Sequence, residues 1–405
     1  MSVTLDQIKA ALPEAGLHDG GWRYSPEPLT LTSQEQKFLD GLGHPLARFQ
    51  RTCDELYRRS ANGSIEPWLA ELLDTGKPTW MVDVQREAGR LGQHPQVIRP
   101  DLLLTEDGMA LTELDGVPGG IGTTAWLSSV YADAGFPILG GERGMIDGFS
   151  SVLEKDGVVV ISEEAADYRR EMEWLVARAG GNRQVVNAES FTPDERMVYR
   201  FFEWFDWESL PLFRRMAEDS VRGKLRLTSP CLPHLEDKLW LALLWTPALR
   251  NLWQDSMRGS HLKRLQQLVP FSWVVDPSPL PPQAALPRLD VHDWSEVKDF
   301  SQRDRQLVLK ISGFHETAWG SRGVFIGHDL PKNEWAEHLQ RAMDEFEQQP
   351  WVMQQYHETR LVEHPVFRDD GSVETLRGRV RLCPYYFTDA SGHTSLGGCL
   401  ATIAP

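Results

Sequence analysis

A tight turn at residues 106–108 (Glu-Asp-Gly) constrains the fold of this chain more than any other stretch. It joins a short apolar run at residues 102–105 to a second run at residues 109–114. An Asp-Gly pair between two such runs is a strong local signal for a β-hairpin, because both residues tolerate the positive φ angles of its turn. We therefore predict two antiparallel strands whose ends lie side by side.

Charged side chains lie at the open end of this predicted hairpin. Arg99 and Asp101 begin the first strand, and Glu113 and Asp115 end the second. Glu113 and Asp115 project from one face because side chains alternate along a strand. Carboxylates held this close repel one another unless a cation lies between them or one of them is protonated. Their convergence suggests a hard, oxygen-binding ion, Mg²⁺ before Ca²⁺ when phosphate is also bound. Arg99 adds a fork of donors for phosphate or carboxylate oxygens.

The alternative is a surface hairpin with solvated acids and a glycine turn. The patterns Arg-x-Asp and Glu-x-Asp by themselves favour it, because both arise often by chance. The glycine-rich residues 116–122 would let backbone amides approach a ligand closely. The interpretation as a metal and phosphate site is favoured only if phosphate-binding elements occur elsewhere in the sequence.

Bulk properties exclude several classes of protein. A chain of 405 residues is long enough for two or three packed subdomains. Its net charge of −16 argues against nucleic acid or an anionic membrane as the main partner, because either needs a basic face. The cysteines form no Cys-x-x-Cys pair, so a zinc motif is not indicated and a cytoplasmic location is expected. No apolar run reaches the length of a membrane span.

The first part of the chain is predicted to be helical. Residues 4–88 carry apolar side chains at helical spacing, interrupted by Pro, Gly and Asn. A helix is also expected over residues 123–133, begun by Thr123 or Thr124.

A βαβ-like unit is predicted next. Residues 158–161 form a short apolar strand, residues 164–178 a helix and residues 183–186 another strand. The aromatic run at residues 197–207 is interpreted as a buried strand that leads into a loop. Such units commonly build substrate-binding layers, although they are also generic building blocks.

Two lysines are candidates for phosphate binding. Lys238 begins an apolar helix predicted at residues 239–249, where a positive charge is unfavourable unless an anion is near, and a solvated lysine is at least an equal alternative. Lys310 ends a strand predicted at residues 306–311, before a loop with glycines at positions 313, 320 and 323 and a returning strand at 324–327. Such a loop can drape backbone amides over phosphates. It is not a Walker motif, because no Gly-Lys-Ser/Thr opens a helix.

The end of the chain is predicted to form one helix and several strands. The helix spans residues 333–348, and an edge-like strand of mixed polarity follows at residues 351–356. A strand with alternating arginines is expected at residues 376–382, and a last strand at residues 396–404.

In this order the elements resemble the circularly permuted ATP-grasp ligases, in particular the synthetase domain of glutathionylspermidine synthases and, more distantly, eukaryotic glutathione synthetases. That family has Arg-x-Asp followed by Glu-x-Asn, where this chain has Arg99-Pro-Asp101 and Glu113-Leu-Asp115. Asp115 therefore replaces the usual asparagine, which keeps an oxygen ligand but adds a negative charge.

The resemblance implies an α+β, glutathione-synthetase-like ATP-grasp fold. Together with the helical pattern of the first part, it divides the chain into a helical N-terminal region (1–95), a metal-binding hairpin and substrate-binding region (96–230) and a nucleotide-binding region (231–405). It implies that Asp101, Glu113 and Asp115 bind Mg²⁺ and that Arg99 acts in catalysis. The residues that it implies for ATP binding are Lys238, Lys310, Gly320, Ser321, Arg322, Gly323, Gln354, Gln355 and Tyr356.

The activity implied is that of an ATP- and Mg²⁺-dependent carboxylate–amine ligase, which forms an amide through an acyl phosphate and releases ADP. Its partners would be a small carboxylate and an amine, such as an amino acid, a peptide or a polyamine, and the resemblance also implies a homodimer. Asp115 and the bulky loop after Lys310 keep one alternative open, a nucleotide-binding scaffold or regulatory protein without ligase activity. The fifteen tryptophans permit a third interpretation, a carbohydrate-binding protein.

Overall fold

The computed structural model describes residues 2–13, 16–17, 21–210, 212–281, 283–318 and 322–405. The helices are α1 Leu5–Ala11, α2 Ser33–Asp40, α3 Gly43–Ala61, α4 Trp68–Asp74, α5 Thr79–Arg90, α6 Ile121–Asp133, α7 Gly144–Val152, α8 Arg169–Ala179, α9 Phe213–Val221, α10 Leu239–Leu243, α11 Arg250–Ser256, α12 Gly259–Leu268, α13 Trp294–Val297 and α14 Lys332–Asp344. The strands are β1 Val97–Thr105, β2 Gly108–Asp115, β3 Val158–Ile161, β4 Gln184–Asn187, β5 Val198–Phe201, β6 Leu227–Thr228, β7 Ser272–Val274, β8 Leu307–Ile311, β9 Val324–Ile326, β10 Trp351–Gln355, β11 Leu361–Phe367, β12 Val373–Thr388 and β13 Thr394–Ala404.

The chain folds into two compact units. Unit 1 contains Met1–Arg48, Arg90–Cys231 and Thr359–Pro405, and unit 2 contains Phe49–Gly89 and Leu232–Glu358. The early helices therefore contribute to both units. The division into the three predicted regions stays a prediction. Within the described residues, no helix is long and apolar enough to cross a membrane.

The predicted hairpin forms part of an antiparallel sheet in unit 1. Its strand order is β11-β12-β1-β2, and β13 also pairs with β12. The turn joins Thr105 to Gly108, and the register places Arg99 opposite Asp115, with a bulge directly after Asp101. The hairpin prediction is confirmed, with Glu106 and Asp107 as the turn residues and Gly108 as the first residue of the second strand.

A parallel sheet of order β4-β3-β5-β6 forms the second layer of unit 1. Strand β3 pairs in parallel with both β4 and β5, and α8 connects β3 to β4, so the βαβ prediction is confirmed. The valines of β3 are buried throughout, as expected for a strand covered on both faces. A hydrophobic core that includes Phe149, Val159 and Tyr385 joins this layer to the helices α6, α7 and α8 and to β12.

Unit 2 is built on an antiparallel sheet of order β7-β10-β8-β9. The edge position predicted for residues 351–356 is wrong, because β10 pairs with β7 on one side and β8 on the other. Its polar residue Gln354 is buried and hydrogen-bonded inside the unit, so its polarity does not mark an edge. Tertiary partners here override the local pattern.

Two predicted helices differ in their bounds. The apolar helix after Lys238 ends at Leu243 rather than 249, and a separate 3-10 turn begins at Pro247, which cannot continue an α-helix. Helix α6 begins at Ile121 after Gly120 in a left-handed conformation (φ 85°), not at Thr123 or Thr124. Glycine adopts that conformation without steric cost.

Candidate functional site

In unit 1, the Arg99 guanidinium lies between two carboxylates at the open end of the hairpin. Its Nε is 2.9 Å from Asp101 Oδ1, and its Nη2 is 3.1 Å from Asp115 Oδ2. Burial alone would lower the pKa of Arg99, but the Asp115 and Asp101 carboxylates outweigh it and raise the pKa well above its usual value. The fork is therefore a fixed positive charge that holds both strands of the hairpin.

The three acids predicted to converge on a metal do not do so in the described structure. No group of three His, Cys, Asp or Glu side chains there could hold a metal ion. Asp101 Oδ2 faces a second guanidinium, Arg381 Nη1, at 3.3 Å, and Glu113 lies opposite Asp101 in the strand register. Their oxygens suit Mg²⁺ chemically, but arginines offset the Asp101 and Asp115 charges in this arrangement. The metal role of Asp101, Glu113 and Asp115 stays a prediction.

The glycine-rich loop after the hairpin is held by an internal carboxylate, Glu171. The Gly120 N–H donates to Glu171 Oε1 at 2.7 Å, and the Thr123 N–H and hydroxyl donate to Oε2 at 2.9 and 2.8 Å. Glu171 thus satisfies the amide of Gly120, directly before α6, and the amide of Thr123 in its first turn. Gly120 belongs to the glycine-rich residues whose amides were predicted to approach a ligand. Burial raises its pKa even though these hydrogen bonds oppose the shift. No local signal marks Glu171, because it belongs to α8, about 50 residues further along the chain.

Buried hydroxyls without a hydrogen-bond partner in the described part of the chain lie elsewhere in unit 1. They belong to Ser162, Tyr199, Ser220 and Ser229, which are at most 2% exposed. Ser162 and Ser229 directly follow β3 and β6, at the carboxyl edge of the parallel sheet. Open parallel sheets bind ligands beyond this edge. Sequence reasoning missed these hydroxyls, although the serine after each short strand could have indicated them.

In unit 2, Lys310 lies beside the predicted adenine-binding strand. Its Nζ donates to Gln354 Oε1 at 2.7 Å, and Gln354 Nε2 donates to Ser272 Oγ at 3.2 Å. Lys310 and Gln354 are both buried, Gln355 is exposed, and Tyr356 is half-buried. The strands β8 and β10 therefore bring together two predicted site residues that are 44 positions apart.

Lys238 contacts the loop that follows β8. It is 6% exposed, and its Nζ donates to the Ala318 carbonyl at 2.6 Å, so the solvated alternative is wrong. The predicted loop residues Gly320 and Ser321 lie outside the described residues. Arg322 donates to the Glu316 carbonyl at 2.7 Å.

Gly323 fits where a larger residue would not. A Cβ at this position would lie 2.4 Å from the Ile311 side chain and 2.8 Å from the Thr317 carbonyl. The return of the loop therefore passes too close to β8 for any side chain.

No known protein family matches the sequence, and no curated protein matches it. The fold is similar to that of a glutathione synthetase-like effector from Globodera pallida in its apo form, with a TM-score of 0.54 and 11% identity over 99% of this chain and 94% of that one. A provisionally named gamma-glutamylcysteine synthetase from Methylobacillus flagellatus KT gives a TM-score of 0.40 and 10% identity, over 95% and 85% of the two chains. The first similarity shows a glutathione-synthetase-like fold, as predicted. Circular permutation and a closer relation to glutathionylspermidine synthases stay predictions.

Proposed function

We propose that this protein is an ATP- and Mg²⁺-dependent carboxylate–amine ligase. The observation that supports the proposal most is the arrangement of unit 2, where residues of three separate segments contact one another in pairs. Lys238 bonds to the β8 loop at Ala318, and Lys310 bonds to Gln354 of β10. Lys310 precedes the glycine-containing loop, and Lys238 contacts it. Two lysines beside such a loop, next to a strand whose backbone could bind adenine, suit the phosphates and the base of ATP.

The proposed reaction has two steps. An oxygen of the substrate carboxylate attacks the γ-phosphorus of ATP, the bond to the β-phosphate oxygen breaks, and ADP leaves an acyl phosphate behind. The amine nitrogen then attacks the acyl carbon, inorganic phosphate leaves with its bonding electrons, and loss of a proton from nitrogen gives the amide. Such transfers need charge neutralisation and alignment rather than a covalent contribution from the protein.

Each predicted residue has a role in this proposal. Lys238 and Lys310 neutralise phosphate oxygens, and both are buried, where a charge acts on an anion more strongly than it does in water. Arg99 stabilises the transferring phosphoryl group or the acyl phosphate. Asp101, Glu113 and Asp115 of unit 1 are the proposed Mg²⁺ ligands, and the ion would neutralise phosphate charge.

The acceptor substrate is proposed to bind at the carboxyl edge of the parallel sheet. Ser162, Tyr199 and Ser229 place buried hydroxyls there or nearby, and a polar substrate would satisfy them. Residues 116–124 and 199–207 border this region. An amino acid, a peptide or a polyamine has the polar groups that such a surface requires.

The test is an ADP-release screen over pairs of carboxylates and amines, with Lys310→Ala and Glu113→Ala as variants. We expect one pair to release ADP with the wild type, and both variants to abolish release with little loss of folded stability. Full turnover in either variant would refute its role. The exposed Lys332→Ala is the matched control.

A second candidate is a nucleotide-binding scaffold without turnover. The Arg99 fork favours it, since Asp101 and Asp115 already have a cationic partner. Nucleotide binding measured by calorimetry, without ADP release on any pair, would support this candidate instead.

A further inference from the structure

We propose that Lys77 and Asp237 form a buried pair that positions the β8 loop, residues 312–318, for the nucleotide. The inference rests on the proposed function for its consequence, but its structural part is independent of it. Neither residue belongs to the predicted ATP-binding set, and Lys77 comes from the helical segment of unit 2. Both are positioning residues, because they act through the loop.

Asp237 ties the first residue of the loop to the start of α10. Its Oδ1 accepts hydrogen bonds from the Ser312 hydroxyl and from the Leu239 N–H, the latter at 3.0 Å. The Leu239 N–H also lies 3.1 Å from Ser312 Oγ. Since Lys238 lies between Asp237 and Leu239, the same carboxylate fixes the backbone on both sides of the proposed phosphate-binding lysine.

The close approach of the two segments depends on glycine at position 313. A Cβ there would lie 2.8 Å from Asp237 Cα and 3.0 Å from the Glu236 carbonyl. The loop therefore begins in backbone contact with the segment that carries Lys238.

Lys77 supplies the charge that this carboxylate needs. Its Nζ is 3.5 Å from Asp237 Oδ2, and the two side chains are 1% and 5% exposed. The same ammonium donates to the Leu73 carbonyl at 2.6 Å and lies 5.6 Å from the centre of the Phe314 ring, within the loop. Lys77 thus contacts the loop directly and also through Asp237.

This arrangement has two consequences for nucleotide binding. An unpaired carboxylate one residue before Lys238 would repel a triphosphate, and Lys77 offsets that charge. A loop that is ordered beforehand also loses less conformational entropy when the ligand binds. We infer that Lys77 raises nucleotide affinity without touching the nucleotide.

The experiment has two readouts on the full chain. Hydrogen–deuterium exchange of residues 312–318 without nucleotide measures the order of the loop, and calorimetry with Mg²⁺ and a non-hydrolysable ATP analogue measures affinity. The variants are Lys77→Met, Asp237→Ala, Asp237→Asn and the double variant Lys77→Met/Asp237→Asn. Lys332→Met and Asp299→Asn, an exposed ion pair of the same unit, are the matched controls.

We expect Lys77→Met and Asp237→Ala to increase loop exchange and to weaken nucleotide binding about tenfold, the effect of losing one charge-assisted contact. Asp237→Asn keeps an oxygen acceptor for Ser312 and Leu239 but leaves the buried Lys77 charge without its partner, so we expect loop exchange and affinity between those of the wild type and Asp237→Ala. If Lys77→Met does not fold, the double variant takes its place in both measurements, because it removes both buried charges and leaves neither one unpaired.

The outcomes separate the inference from the proposed function. Unchanged loop exchange in Lys77→Met and Asp237→Ala overturns the inference, as does increased exchange with wild-type affinity. Absence of nucleotide binding in the wild type overturns the proposed function, and the exchange result still decides whether the pair holds the loop.

Discussion

Lys310 donates a hydrogen bond of 2.7 Å to Gln354 on the neighbouring strand of the unit 2 sheet. Both side chains are buried, and the glutamine is held in turn by Ser272. A neutral amide orients the ammonium without cancelling its charge. The amide therefore suits a lysine whose proposed role is to bind phosphate.

Replacing that amide by a carboxylate should weaken nucleotide binding. In Gln354→Glu the new charge would pair with Lys310 and compete with phosphate, so we expect the Kd for Mg²⁺ and a non-hydrolysable ATP analogue to rise about tenfold or more. Calorimetry measures the change. The exposed Gln348→Glu adds the same charge to unit 2 and should leave Kd unchanged. Equal affinities for both variants would contradict the role of Lys310.

Removing the Glu171 carboxylate should destabilise unit 1. Glu171→Ala leaves the Gly120 and Thr123 donors at the start of α6 without their acceptor, and we expect a loss of about 3 kcal/mol in the free energy of unfolding. Glu173→Ala, on the same helix in a half-exposed pair with Arg169, should cost less than about 0.5 kcal/mol. Urea denaturation distinguishes the two, and similar losses would show that Glu171 does not cap α6.

The buried Asp54 should make stability depend on acid pH. Burial by itself raises the pKa of Asp54, but its bond to His234 and its ion pair with Arg58 outweigh burial and lower the pKa below 3.8. The stabilisation is then present above pH 3.8 and is lost as pH falls through the lower folded value.

The variant Asp54→Asn tests the direction of this pH dependence of stability. At pH 7 it should lose about 2 kcal/mol of unfolding free energy, and the difference from the wild type should shrink in acid as Asp54 itself is protonated. The exposed Asp83→Asn in the same unit is the control for removal of a carboxylate at the surface. If the difference in unfolding free energy between Asp54→Asn and the wild type instead grew towards acid pH, the ionised form of Asp54 would not be the stabilising one.

Glu113 should influence the Mg²⁺ concentration that ADP release requires. Loss of one anionic oxygen in Glu113→Gln should raise the Mg²⁺ concentration for half-maximal ADP release about tenfold, because charge count tunes the affinity of such sites. Glu106→Gln, exposed at the hairpin turn, is the control. An unchanged Mg²⁺ dependence would remove Glu113 from the proposed metal ligands.

Local patterns were sufficient for the elements that depend on neighbouring residues. The turn at Gly108, the strand that ends near Lys310 and the βαβ unit around α8 all follow from residue order. Their hydrogen bonds join residues that are close in sequence, so these elements can be predicted without knowing which distant segments pack together.

The contacts that hold the candidate sites could not be predicted in this way. Glu171 meets Gly120, and Lys77 meets Asp237, only after distant segments pack, and no spacing in the sequence indicates either pair. Gln354 misled the prediction of an edge strand for a related reason, since its polar group is satisfied inside unit 2. Tertiary packing, rather than propensity, decides such positions.

The most direct test of the central claim is a crystal structure of the protein with Mg²⁺ and a non-hydrolysable ATP analogue. The account predicts phosphate oxygens within hydrogen-bond distance of both Lys238 Nζ and Lys310 Nζ, beneath the β8 loop. A nucleotide bound elsewhere, or phosphates that contact neither lysine, would contradict it.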